Sequence, residues 1–391
     1  MENNPFKMQE NQEYLRSQLI TYIGNKRALL DFIEQGVQIV QKKLNKQKLN
    51  CLDIFSGSGI VSRFLKQYSS FLVANDLEKY SYITNKCYLA NKNSIKTELL
   101  KYEYDCLMQK IKSETANQNF VPGFITKLYS PQNENNIQKK DRCFYTNYNA
   151  RYIDITRQLI SKTVPKEFNN FFIAPLLSEA SIHANTAGVF KGFYKNSSTG
   201  IGEFGGKKRD ALTRIKGKIQ LPFPVFSDFE CKIQVFNEDA NVLVNDKKLY
   251  SETDDGSFDL AYFDPPYNQH PYASNYFMLN LIADYKEPDI STLSKVSGIP
   301  QNWNRSAYNK KREIENVFSA LVKNTKAKYI LVSFNSEGFI PKDKMISILS
   351  QNGKVQLLEA NYNTFRGSRN LKNRNLYVKE YLFLVEKNNL K

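Results

Sequence analysis

The sequence predicts an α/β fold, a Rossmann-like doubly wound sheet that carries a long inserted lobe. Three observations predict it. The apolar run Cys51-Leu52-Asp53-Ile54-Phe55 ends at the turn Gly57-Ser58-Gly59 and leads into a helical segment, a second apolar run and an acid, the first half of such a sheet. Apolar strands resume at 232–236, 258–264, 328–334 and 378–386, after a stretch of different character between 100 and 229. At 391 residues the chain also exceeds one ordinary domain of ~150 residues. The expected division is 1–100 with 230–391 as one domain and 101–229 as the inserted one.

Each element has a local cause. Leu29, Leu30, Phe32, Ile33, Val37, Ile39 and Val40 recur at helical spacing and predict an amphipathic helix within 18–49, led by the short loop Tyr22-Ile23-Gly24-Asn25-Lys26. Residues 51–55 read as a strand and Ile60 to Tyr68 as a helix. Phe71 to Ala74 is a second strand that ends in Asn75-Asp76, and a helix follows to about Asn91. Polar helices, an Asn/Gln/Lys-rich stretch at 130–141 and a glycine-rich basic segment then fill the insertion. No internal repeat is visible.

Composition narrows the function. Lys and Arg number 55 against 39 Asp and Glu, a net charge of +16, which points to a polyanionic partner, nucleic acid first. No run approaches the ~18 uncharged apolar residues of a membrane span, so no membrane partner is expected. The polar N-terminal stretch lacks the apolar core of a secretory signal, and the expected location is the cytoplasm. Five scattered cysteines without a Cys-x-x-Cys pair, and only two histidines, disfavour a disulfide framework, a metal site and most hydrolase chemistry.

Two motifs carry chemistry. In Asp53-Ile54-Phe55-Ser56-Gly57-Ser58-Gly59 the glycines permit positive φ and close ligand approach, and the next helix offers free N–H groups. Asp76, at the end of the following strand, suits a carboxylate that accepts both hydroxyls of a ribose, so a nucleoside-bearing cofactor is expected. In Asp264-Pro265-Pro266-Tyr267 an apolar strand runs straight into two prolines, which forbid its continuation and force a rigid exit at the carboxyl edge of the sheet. One carboxylate, one carbonyl and one aromatic ring in fixed relation suit a planar base with an exocyclic amine: Asp264 and the Pro265 carbonyl accept from its N–H bonds, and Tyr267 stacks on the ring.

In these motifs and their order the sequence resembles the Dam-like adenine-N6 DNA methyltransferases, over about 18–91 and 230–386. The resemblance implies S-adenosyl-L-methionine as cofactor. It implies that Tyr22, Gly24 and Lys26 form the N-terminal cofactor element, with Lys26 on the cofactor's carboxylate. Asp53, Phe55, Gly57 and Gly59 would form the methionine-binding loop, and Asp76 would bind the ribose. Asp239 and Ala240 would meet the cofactor's adenine, and Asp264 to Tyr267 would be the catalytic motif. Tyr362 and Phe365 fall where the family places an aromatic on the other face of the target base. Cofactor elements ahead of the catalytic motif, with a long insertion between, is the order of the family's alpha group.

The segment Thr186 to Gln220 holds seven of the chain's 17 glycines and a net charge of +6, with Phe190, Phe193 and Tyr194 interleaved. Lys191, Lys195, Lys207, Lys208, Arg209 and Arg214 are expected to track phosphates, and Arg142 to Arg157 to buttress the same face. Arg366 and Arg369 are expected to clamp the phosphates around the extruded base. His183 is expected to be a structural residue.

The resulting expectation is a site-specific methyltransferase that acts on the N6 amine of a flipped adenine in double-stranded DNA, the modification partner of a restriction endonuclease, acting as a monomer or weak dimer. Two rivals stand beside it. One is the same machinery on RNA adenine or on cytosine N4, and the other is a decayed relative that only binds DNA.

Overall fold

The computed structural model describes residues 10–17, 19–117, 120–207, 209–363 and 377–388. Lys208, Phe365, Arg366, Arg369 and the side chain of Tyr362 lie outside the described residues. One sheet of seven strands organises the chain: β1 (Leu49–Asp53), β2 (Ser69–Asn75), β3 (Lys232–Phe236), β4 (Phe258–Phe263), β5 (Ala327–Asn335), β6 (Gly353–Asn363) and β7 (Tyr377–Lys387). Their order across the sheet is β3-β2-β1-β4-β5-β7-β6. The first five strands are parallel, and β7 lies antiparallel between β5 and β6.

Burial explains why the strands read as continuous apolar runs instead of alternating ones. Every residue of β1 and β4 is buried, because helices cover both faces of the sheet. Leu260, Tyr262 and Leu331 face one apolar cluster, which the helices Leu30–Leu44, Lys79–Tyr88 and Phe277–Asp284 complete. Ala261, Phe263 and Val332 face the other, closed by the helices Ile314–Asn324 and Lys342–Ser350. The helices Asn147–Thr163 and Asn169–Ile182, from the stretch between β2 and β3, add Ile153, Phe172, Leu176 and Leu177 to the first cluster. Among the described residues no helix is long and apolar enough to cross a membrane.

The strand expected at 232–236 appears with those bounds, and those expected at 258–264, 328–334 and 378–386 appear within a residue or two. Strand β6 has no counterpart among the expectations. It is the outer edge of the sheet, its residues are mostly half-exposed or exposed, and Lys354, Gln356 and Glu359 interrupt the apolar signal.

Strand order reverses on the two sides of β1, so a crevice opens where the carboxyl ends of β1 and β4 diverge. The helix Leu30–Leu44 leads the N-terminal loop to this crevice, and Gly36 lets that helix approach β5. A Cβ at Gly36 would lie 2.7 Å from Cδ1 of the fully buried Leu331. Helix propensity favours Gly36→Ala by ~1 kcal/mol, whereas overpacking a closed core costs ~1–3 kcal/mol. A net destabilisation on the order of 1 kcal/mol is expected, and denaturant unfolding of the variant checks it; a rise in stability would mean the contact is loose.

Candidate active site

Loops from the carboxyl ends of β1, β2, β3 and β4 meet the N-terminal segment around a cleft. Of the residues expected to bind a cofactor, Tyr22, Gly24, Lys26, Phe55, Gly57, Asp76, Asp239, Ala240 and Asp264 line it, as does Pro266. Asp53 and Gly59 do not: Asp53 is fully buried beneath the floor, where Ser62 Oγ donates to its Oδ2 at 2.6 Å. Burial pushes the Asp53 carboxyl up to about 7, with the Ser62 bond opposing the shift.

The glycine turn has a physical requirement at each end. Gly57 takes φ +52° and its N–H donates to Asp76 Oδ2 at 2.7 Å, which ties the ends of β1 and β2 together. Gly59 takes φ +79°, and a Cβ there would lie 3.0 Å from Asn85 Oδ1. Asn75 then stitches three strand ends, its amide donating to the carbonyls of Ile54 at 3.2 Å and Glu238 at 3.0 Å. Asp76 also accepts from the N–H of Glu78 at 2.9 Å, and burial pushes its carboxyl up to about 6 against these backbone bonds. Asp239 caps the helix Ala240–Leu243 by accepting from the N–H groups of Asn241 and Val242.

The opposite wall is electrostatic. Lys26 Nζ lies 3.3 Å from Asp264 Oδ1 and 3.7 Å from Glu380 Oε2, and its side chain is 3% exposed. Burial works to lower the Lys26 pKa, but Asp264, Tyr267 and Glu380 together hold it well above its ordinary value. Burial pushes Asp264 up to about 6, Lys26 pulls it down and Glu380 pushes it up again. Lys26 thus lines the cleft as expected of a cofactor element and also pairs with two protein carboxylates. Its ammonium also lies 5.7 Å from the centre of the Tyr267 ring, which packs edge-on against Phe334 at 5.3 Å. Tyr267 is half-buried beside the cleft; a Cβ on Gly24, at φ +73°, would come within 3.2 Å of its hydroxyl.

The cleft thus combines a glycine turn, a carboxylate at the end of β2 and an acid-Pro-Pro-Tyr exit from β4. Comparison with known proteins gives the same assembly a lineage. The profile of the D12 class N6 adenine-specific DNA methyltransferases matches residues 22–348. The chain belongs to this family. It is 29% identical over 372 residues to the type II methyltransferase M.CviAII of Paramecium bursaria Chlorella virus 1, covering 94% of this chain and 98% of that one. It is 30% identical over 376 residues to the type II methyltransferase M.NlaIII of Neisseria lactamica, covering 94% and 99%. It is 28% identical over 379 residues to the type II methyltransferase M.FokI of Planomicrobium okeanokoites, covering 94% of this chain and 52% of that one. Membership makes the chain an adenine-N6 DNA methyltransferase and does not favour the RNA, cytosine or decayed alternatives.

The basic segment of this methyltransferase divides into two kinds of residue. Lys191, Lys207 and Arg209 are exposed, and Lys195 is half-exposed over the ring of Phe193 at 4.8 Å. Arg214 is turned inward, a correction to its place among the phosphate contacts: its guanidinium donates to the carbonyls of Ile182, Ala184 and Thr186. Phe190 and Phe193 are core residues packed on Phe144, so they are not presented to a ligand. Arg157 likewise donates inward, to the Ile282 carbonyl at 2.7 Å. His183 is structural as expected, its Nδ1 lying 2.6 Å from the carbonyl of Arg214.

Glu78, Tyr272, Tyr308 and Asn309 line the cleft without having been expected there, and Glu380 stands behind it. Glu78, two residues after Asp76, and Tyr272, shortly after Tyr267, lay close enough to a motif to be found from sequence. Removing the ammonium with Lys26→Met would leave two largely buried carboxylates without their shared cation, at a cost of roughly 3–5 kcal/mol. A carboxyl whose folded pKa is raised weakens the fold only while ionised. Without Lys26, which pulls the Asp264 carboxyl down, that group protonates above its present value of about 6, so the loss should be largest at alkaline pH and shrink as pH falls toward about 6. Thermal unfolding across pH checks this, and a variant equally unstable at all pH values would refute the charge account.

Proposed function

We propose that this chain transfers the methyl group of S-adenosyl-L-methionine to the N6 of an adenine rotated out of double-stranded DNA, as the modification enzyme of a type II restriction-modification system. The observation that carries the reading is Asp264: it leaves β4 at the switch point, its side chain is 19% exposed, and it borders the cleft beside Pro266. Support for the cofactor comes from the donor set around the cleft. The Asp76 and Asp239 carboxylates line the cleft, and the aromatic rings of Phe55 and Tyr308 stack edge to face beside it at 5.1 Å. The restriction-system role draws on the relatives, which are type II methyltransferases spanned nearly end to end by this chain.

Bound S-adenosyl-L-methionine supplies an electrophilic methyl group. The chain's part is to make a poor nucleophile attack it. The lone pair of an aromatic amine is delocalised, and attack leaves positive charge on the nitrogen. Hydrogen bonds from that amine to Asp264 and to the Pro265 carbonyl stabilise the developing charge, and the two prolines hold both acceptors still. Tyr267 offers its half-buried ring to one face of the base. Lys191, Lys195, Lys207 and Arg209 hold the DNA by its phosphates, within a target-recognition region at 101–229. A restriction endonuclease of the same specificity is the expected companion.

Asp264→Ala should cut methyl incorporation from a radiolabelled cofactor by roughly 100-fold or more while DNA binding persists. Near-normal turnover would refute the reading. In the unaltered protein the single-turnover rate should fall as pH drops through about 6, because burial raises the Asp264 carboxyl to that value and only the ionised form accepts from both directions.

A further inference from the structure

Glu380 enters the site from an unexpected quarter. It lies on β7, opposite Asn335 in the antiparallel ladder with β5, and is only 4% exposed. Its Oε2 is buried, has no hydrogen-bond partner and points at the Lys26 ammonium 3.7 Å away. Asp264 Oδ1, equally without a hydrogen bond, faces the same ammonium at 3.3 Å. One cation therefore stands between two carboxylates.

We propose that Glu380 is a positioning residue for methyl transfer: by sharing the Lys26 ammonium it keeps Lys26 from closing on Asp264, and so leaves the Asp264 carboxylate aimed at the target amine. This rests on Asp264 acting as proposed above. The physical reason is competition. A lysine alone with a buried carboxylate closes to a hydrogen-bonded pair of ~2.8 Å; drawn in by its buried Oδ1, Asp264 would turn its other oxygen, the one left for substrate, away from the cleft. A second buried acceptor, Glu380 Oε2, competes for the ammonium and holds it at the looser distances observed. The charged and titratable groups facing Asp264 are Lys26, Glu380, Asp53, Tyr262, Tyr267 and Tyr272. Of these Glu380 is the anion on the Lys26 side; Asp53 lies under the floor and leaves Lys26 untouched.

Two variants of the full chain test this, assayed for kcat, KM and pH profile on a substrate duplex. Glu380→Ala should lower kcat on the order of tenfold to a hundredfold, with KM for DNA and cofactor little changed. Glu380→Gln keeps the shape and can still accept from Lys26, so it should recover most of the rate. It lacks the anion, however, so the acid limb of its kcat profile should move to lower pH by about one unit. If Glu380→Gln loses rate equally at all pH values with the limb unmoved, Glu380 is merely a packing residue and the proposal falls. Should Glu380→Ala fail to fold, the Glu380→Gln limb alone decides. Asp264→Ala is the control: if it stays active, the reading of Asp264 itself fails, an outcome distinct from either result at Glu380.

Discussion

The Lys26 ammonium gathers three segments that are remote in sequence: its own loop before the helix Leu30–Leu44, the Asp264 turn after β4 and the start of β7 at Glu380. The direction of β7 makes this meeting possible. Because β7 runs antiparallel to β5, it begins at the edge where the parallel strands end, and its first buried acid lands beside the cleft. A parallel β7 would begin at the opposite edge, a strand's length away. Two carboxylates on one ammonium leave a net negative charge, a surplus that the proposed transfer to an amine turning positive would use.

Much of the fold was legible because burial is so complete. Strands covered on both faces leave uninterrupted apolar runs, and 258–264 and 328–334 stand out from polar surroundings. Strand β6 was not legible for the opposite reason, since an edge strand half-open to water carries a mixed pattern. The antiparallel direction of β7 was equally hidden. Direction follows from the connection through β6, and nothing in the composition of 378–386 encodes it.

The site was legible where its chemistry lies within a short motif. The turn at Gly57 and Gly59 and the exit at Asp264 each need a specific backbone path, which glycine and proline announce locally. Contacts made across the sheet announce nothing: Glu380 is one acid among many until the ladder places it opposite Asn335. Charge and aromatic counts misled in the basic segment for a related reason. A basic, aromatic stretch reads as a surface for phosphates, yet Arg214 has more to gain by capping three carbonyls at the helix end near Ile182, and Phe190 by joining Phe144 and Phe277.

That inward half of the basic segment fixes the outward half to the chemistry. The N–H of Phe190 donates to the carbonyl of Asn275 at 2.7 Å, and Ser297 Oγ donates to the carbonyl of Lys191 at 2.6 Å. Lys191 itself stands 3.5 Å from His270, a few residues beyond the Asp264 turn. Main-chain bonds between rigid, buried neighbours hold position far better than exposed side chains do. The segment expected to grip DNA is therefore joined to the chain that leaves the Asp264 turn, and buried Phe190 is what makes that joint stiff.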